Sequence, residues 1–175
     1  MANFTRDALM RVFIEQLENK SLDKITVKDI IEEAGVNRNT FYYHFSDIYD
    51  LIDKLFEEEL QRIMSEDKED ATFYEDYKRA ASIFLTHRKA IIHVEHSKSQ
   101  VVVYKYIDEF TKVYVEKFVR KSAVNYNISE DGIRFITFFY SSAISANTID
   151  WVHRGMPEYN DDFIKIVSSS FEATI

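Results

Sequence analysis

Arg38-Asn39-Thr40-Phe41-Tyr42-Tyr43-His44 is the stretch whose residue types and spacing could do chemistry. Wound as a helix at about 100° per residue, Phe41 and Phe45 fall on one side, four residues apart, and face a core. Asn39 and Tyr43 point the opposite way, with Arg38 and Tyr42 on one flank and Thr40 and His44 on the other. The outward set matches what the edges of base pairs offer. An asparagine amide reads adenine through two hydrogen bonds, an arginine reads guanine or holds a phosphate, and a threonine meets the thymine methyl. Tyr42 and His44 suit phosphate oxygens, which fix position without specifying sequence. The competing reading is a helical hairpin with a merely solvated polar face. Against it, Tyr42-Tyr43-His44 places three large semi-polar groups where folding gives them no reward.

Such a helix works only if its neighbours hold it still. Thr26, with Asp29 three residues on, forms the start signal of a preceding helix, a variant of the capping box. Val27, Ile30, Ile31 and Ala34 supply that helix's buried face. Gly35 ends it at a position where the left-handed conformation is required, and Asn37 caps the next helix, Arg38 to Phe45. Thr26 and Lys28 then stand where the earlier helix would meet a DNA backbone. A first helix from Thr5 to about Asn19 brings an apolar stripe of Leu9, Val12, Phe13, Ile14 and Leu17. Ser46-Asp47 restarts the chain as a fourth helix, Ile48 to about Ser65. Two capped helices around a single glycine, with the outward chemistry on the second, are a helix-turn-helix.

Composition narrows the setting. The chain has 175 residues, no cysteine, three glycines and one proline. Disulfides, thiol catalysis and cysteine-bound zinc are excluded, and long helices are allowed almost everywhere. Fourteen Phe and eleven Tyr need an interior, an interface or a cavity. No signal sequence is legible, and the run from Phe135 to Ile149 is too short to span a bilayer, so a cytoplasmic protein with no membrane partner is expected. The net charge of −8 divides into −2 for residues 1–48 and −6 for residues 49–175. DNA binding must then rest on a few placed cations and be sensitive to salt.

The expected architecture is all-α, with a three-helix DNA-binding domain over residues 1–48 and a helical regulatory and dimerisation domain over 49–175. Beyond the charge run at 66–70, helices are expected at 74–88, 101–125, 129–154 and 160–173, with a broken stretch at 89–100. His87, His93, Tyr104, Phe110, Tyr114, Phe138, Asn147 and Trp151 could line an apolar cavity with a few orienting polar groups; an ordinary aromatic core is the alternative. Phe139, Ser142, Ala146, Ile149, Phe163, Val167 and Phe171 could pair two copies as a four-helix bundle, or fill an intrachain core. His93 and His96 share a helical face, yet no cysteine or well-spaced carboxylate completes a coordination sphere, so no metal is expected. No cofactor is implied. An enzyme is not expected either: a di-iron bundle needs Glu three residues before His, and no histidine here has one.

The pattern Thr26-Val27-x-x-Ile30-x-x-x-Ala34-Gly35-Val36-x-Arg38-x-Thr40-Phe41-Tyr42-x-His44-Phe45 resembles the N-terminal domain of the TetR family of bacterial transcription regulators. The resemblance covers about the first third of the chain. It implies a homodimer on a double-stranded operator, base contacts from Arg38, Asn39, Thr40 and Tyr43, and phosphate contacts from Lys28, Tyr42 and His44. The family often has a lysine at the start of the fourth helix, where this chain has Ile48. Phe84-Leu85-x-His87-Arg88-Lys89, Phe139-Tyr140-Ser141-Ser142-Ala143 and Trp151-Val152-x-x-Gly155-Met156 are similar to a subgroup that includes regulators of dihydroxyacetone-kinase operons. That likeness implies a small-molecule effector or, alternatively, a protein co-regulator, and a repressor or an activator accordingly.

Overall fold

The computed structural model describes residues 2–65, 71–126, 128–157 and 161–174. The described residues form the α-helices α1 (Ala2–Leu17), α2 (Val27–Ala34), α3 (Arg38–His44), α4 (Ile48–Ser65), α5 (Phe73–Thr86), α6 (Arg88–Glu95), α7 (Gln100–Tyr126), α8 (Glu130–His153) and α9 (Asp161–Thr174), with a single 3-10 turn at Leu22–Lys24 between α1 and α2. The charge run at 66–70 lies outside the described residues. Two helix positions differ from expectation. Thr5 lies inside α1, because no residue after Ala2 interrupts helix propagation and a helix needs no side-chain cap to begin. The stretch read as broken contains α6: Ala90, Ile91 and Val94 give it a buried face, and Ser97 to Ser99 end it.

The chain forms two compact units, Met1–Ser65 with His87–Val103, and Glu66–Thr86 with Tyr104–Ile175. They do not divide at residue 48. The whole of α4, with Leu51, Ile52 and Ile63 buried, belongs to the first unit. Helix α6 belongs there because it packs on α1, where the His93 Nδ1 lies 2.6 Å from the Leu17 carbonyl oxygen. The first unit's core is built from Leu9, Phe13, Leu17, Ile30, Phe41, Phe45, Leu51 and Ile52.

The second unit is organised around an aromatic cluster. Phe73 of α5 touches Tyr114, Phe118 and Phe171, with ring centroids 5.0 to 5.7 Å apart. Val115, Val119, Ile133 and Ile144 close the cluster. At such separations the rings add roughly 0.5–1.5 kcal/mol per pair beyond their burial. After α8 the chain turns through Gly155 (φ 75°) and Met156 (φ 51°). Met156 accepts this left-handed geometry while fully buried.

Candidate nucleic-acid interface

The turn before α3 is fixed from both sides. Thr26 Oγ1 accepts the Asp29 amide at 3.2 Å, and Asp29 Oδ2 accepts the Thr26 amide at 3.0 Å, so both halves of the capping box are made. Hydrogen bonding by Thr26, through side chain and backbone, and then by Lys20, holds the Asp29 carboxyl below its ordinary value. Gly35 takes the left-handed conformation at φ 66°, and its amide and that of Val36 close the helix end. Space is not the constraint, since a Cβ there would meet nothing within 4 Å. Backbone sign alone requires glycine. Asn37 Oδ1 accepts the Thr40 amide at 2.9 Å and the Thr40 hydroxyl at 3.1 Å.

Helix α3 turns Phe41 and the following Phe45 into the core, with their rings 5.7 Å apart. On the outer side Tyr43 is 78% exposed and Tyr42 45%, and Arg38 and Asn39 are exposed beside them. The Arg38 guanidinium lies 5.6 Å above the Tyr42 ring and donates to its hydroxyl at 3.3 Å, so these two side chains hold each other upright. Tyr43 and His44 meet edge to face at 4.9 Å. Thr40 is half-buried and donates its hydroxyl proton to Asn37, which leaves its methyl and its oxygen lone pairs able to meet a base. Thr26 spends an acceptor lone pair inside the cap and keeps its hydroxyl proton as an outward donor. Lys28 is exposed, 3.7 Å from Glu32.

Two cations that sequence reasoning left unassigned hold the far end of α3. Lys54 of α4 donates to the His44 carbonyl at 3.1 Å and to Asp50 Oδ2 at 3.0 Å, with its ammonium 5.4 Å from the Phe45 ring centroid. Arg6 of α1 lies 5.8 Å from the same centroid and is paired with Glu58. Burial works against the charge on Asp50, yet the Ser46 amide and Lys54 hold its carboxyl below the usual range. The available signal was the four-residue spacing of Asp50 and Lys54; that Lys54 also reaches His44 is visible only in three dimensions.

The residues expected around an effector are divided between the two units. His87 and His93 belong to the first unit, His87 at the start of α6 and His93 on the Leu17 carbonyl. Tyr104 pairs with His153 at 3.2 Å. Tyr114 is buried in the aromatic cluster. Asn147 is exposed and donates to the Ala143 carbonyl, and Phe138 is 71% exposed. Phe110 and Trp151 do share a pocket, with Tyr77, Ala80, Ala81, Phe84, Ile107, Thr111 and Thr148. Its free volume of about 30 Å³ suits about one water molecule. Around this pocket the aromatic side chains fill most of the space, the core alternative of the two that their number allowed.

Of the residues expected between two copies, Phe139, Ser142 and Ala146 are exposed along one side of α8, and Ile149 and Val167 are half-buried. Phe171 is not on that surface. It is 1% exposed and packs against Phe73 and Tyr140 in its own chain. The Phe163 side chain lies outside the described residues.

Residues 7–55 match the family described as "Bacterial regulatory proteins, tetR family", and residues 77–172 match its "Transcriptional regulator C-terminal region". The chain belongs to the TetR family. This TetR-family transcriptional regulator is 25% identical over 136 residues to the Bacillus subtilis (strain 168) HTH-type regulator YvdT, covering 71% of this chain and 70% of that protein. Its fold is similar to that of the dihydroxyacetone kinase operon activator DhaS, with a TM-score of 0.72, 18% identity and coverage of 98% and 96% of the two chains. A TetR regulator from Streptococcus agalactiae 2603V gives 0.64 at 22% identity, over 97% and 94%. Family membership sets α1 to α3 as the DNA-binding part of this regulator, and the match from 77 to 172 covers the helices that follow. No described helix is long and apolar enough to cross a membrane.

Proposed function

We propose that this TetR-family regulator binds a specific operator as a homodimer and represses transcription until an effector reaches its C-terminal helices. The observation that carries the reading is α3, capped at its start, clamped at its end, and presenting Arg38, Asn39, Tyr42 and Tyr43 outward. Asn39 and Tyr43 read base edges, Arg38 reads guanine or holds a phosphate while steadying Tyr42, and the Thr40 methyl meets thymine. Tyr42, His44, Thr26 and Lys28 hold phosphates. Phe139, Ser142 and Ala146 of α8 supply the contact between copies, because a bulky apolar side chain exposed beside two small ones suits close helix packing. Two copies place two reading helices about 34–36 Å apart, one turn of DNA. A gel-shift titration against the DNA upstream of its own gene tests the reading. Binding to that DNA at low salt that is no tighter than to a shuffled duplex would sink it.

A second reading makes the regulator an activator whose C-terminal helices dock a protein partner. Two observations favour it: the Phe110–Trp151 pocket has almost no free volume, and the fold likeness to the operon activator DhaS extends over nearly the whole chain. A reporter fused to the operator decides the sign, with expression rising on deletion of a repressor and falling on deletion of an activator.

A further inference from the structure

Helices α7 and α8 run antiparallel in the second unit, and polar pairs pin their seam at both ends. Tyr104 meets His153 at 3.2 Å, Ser145 donates to Asp108, and Arg120 meets Glu130 at 3.1 Å. Between the second and third of these pairs the seam opens. Lys112 and Glu116 of α7 face Ile133, Arg134, Thr137, Phe138 and Ser141 of α8 across a groove with about 300 Å³ of free volume. The cause lies in residue size. Beside the buried Ile133, the α8 side chains buried at that level are Thr137 and Ser141, and two such small groups cannot fill the space that long, outward-leaning Lys112 and Glu116 leave.

We propose that this groove binds a small amphiphilic carboxylate, one acid group on a short aromatic or aliphatic body. The proposal rests on the effector-responsive reading and gives the effector a site and a chemical class. Three features point to an anion with an apolar tail. Glu116 shares Arg120, at 2.8 Å, with Glu130, whereas Lys112 has no ion-pair partner among the described residues. Arg134 adds a second cation at the rim; among the described residues its ion-pair partner is the exposed Asp131, and such contacts are weak enough to exchange. The Thr137 hydroxyl is buried without a hydrogen-bond partner, in a side chain 5% exposed. Threonine in a helix has two usable χ1 wells, so this orphan donor can turn to a guest. Ile133 and the exposed Phe138 ring take the apolar body. The volume lies at the lower end of the range for small-molecule sites.

The test is calorimetric titration of the full chain with 4-phenylbutyrate, and with its amide as a neutral control. Lys112→Gln changes an exposed side chain and leaves folding intact, while Thr137→Val keeps shape and removes the hydroxyl. The acid is expected to bind about tenfold more tightly than the amide, and Lys112→Gln to lose about tenfold, the worth of one charge-assisted hydrogen bond. Thr137→Val should bind more weakly yet melt higher, having lost an unsatisfied buried group. Trp151 is the only tryptophan and lines the other pocket, so its emission should not change as the groove fills. Equal affinity of acid and amide, or of wild type and Lys112→Gln, overturns the proposal. So does saturation that quenches Trp151, or a dimer that takes up no acid at millimolar concentration because a second copy covers the groove. Acid binding that depends on Lys112 but leaves operator affinity unchanged supports the site and counts against the effector reading.

Discussion

Replacing Lys54 with methionine separates holding the recognition helix from touching DNA. The stem of the side chain is kept and the ammonium removed. Three contacts go with it: the bond to the His44 carbonyl, the pair with Asp50, and the approach to Phe45. The carbonyl lies in the last turn of α3, where no helical amide can serve it. A charged hydrogen bond contributes about 1.5–3 kcal/mol when well shielded. Lys54 is about one-third exposed, so about 1 kcal/mol is the reasonable share. The (i, i+4) pair adds about 0.3–0.5 kcal/mol and the cation over the ring about 0.5 kcal/mol. Because one ammonium makes all three contacts, they are not independent, and the loss should be about 1–2 kcal/mol. For a chain of this length that lowers Tm by about 2–8 °C. Operator affinity should fall while binding to random duplex and the slope of log affinity against log salt stay as they were, because no phosphate contact has been removed. Lys28→Ala is the control, with unchanged Tm and a slope shallower by about 1.8, because a dimer loses two phosphate contacts. An unchanged Tm together with a shallower slope for Lys54→Met would make Lys54 a phosphate ligand and refute the clamp.

Asn39→Ala and Tyr43→Ala should each cost about 1–3 kcal/mol on operator DNA and almost nothing on random DNA, measured as the ratio of gel-shift affinities; equal losses on both would remove them from base reading. Phe139→Glu alters an exposed side chain and should leave the stability of the monomer within about 0.5 kcal/mol while weakening self-association by at least tenfold in sedimentation equilibrium; an unaffected dimer would place the contact elsewhere. Asp76 is buried on α5, and that burial raises its carboxyl pKa despite the opposing pull of Arg79. A raised acid pKa means that the charged form is disfavoured in the folded state, so Asp76→Asn should raise Tm at neutral pH, and the gain should shrink as the pH falls and the wild-type carboxyl takes up its proton. A lower Tm at pH 7 would show that the attraction to Arg79 outweighs burial.

The first unit was largely legible because its instructions are local. Thr26 with Asp29, Gly35, and Asn37 with Thr40 each act within three or four residues, and each cap forms where its spacing placed it. Phe41 and Phe45 were legible for the same reason, a separation of four on a helix. Composition could not say whether the aromatic side chains of the second half surround a space or fill one. Phe110 and Tyr114 stack at 5.4 Å, and Tyr114 meets Phe73 from another helix; which happens depends on partners distant in sequence. Phe171 shows the same limit. Its helical position fits a surface between copies as well as a core, and only the nearness of Phe73 and Tyr140 decides. The α7–α8 groove left no positive mark in the sequence, since it arises where Thr137 and Ser141 are too small for what they oppose.

The charges around α3 explain why the helix is clamped so firmly. Lys20 faces Asp29, Lys28 faces Glu32, Arg6 faces Glu58 and Lys54 faces Asp50, within a segment whose own balance over residues 1–48 is −2. Few cations remain for phosphates. If Lys28 and Arg38 are the two that each copy brings, a dimer neutralises four phosphates, and the salt slope would be about −3.6, far below that of strongly basic DNA-binding proteins. Nonspecific affinity is then small, and recognition must come from base edges, where each good contact contributes about 1–3 kcal/mol only if its geometry is held. A recognition helix seven residues long has too few internal hydrogen bonds to hold itself. The Asn37 cap at one end and Lys54 at the other supply the rigidity that charge does not.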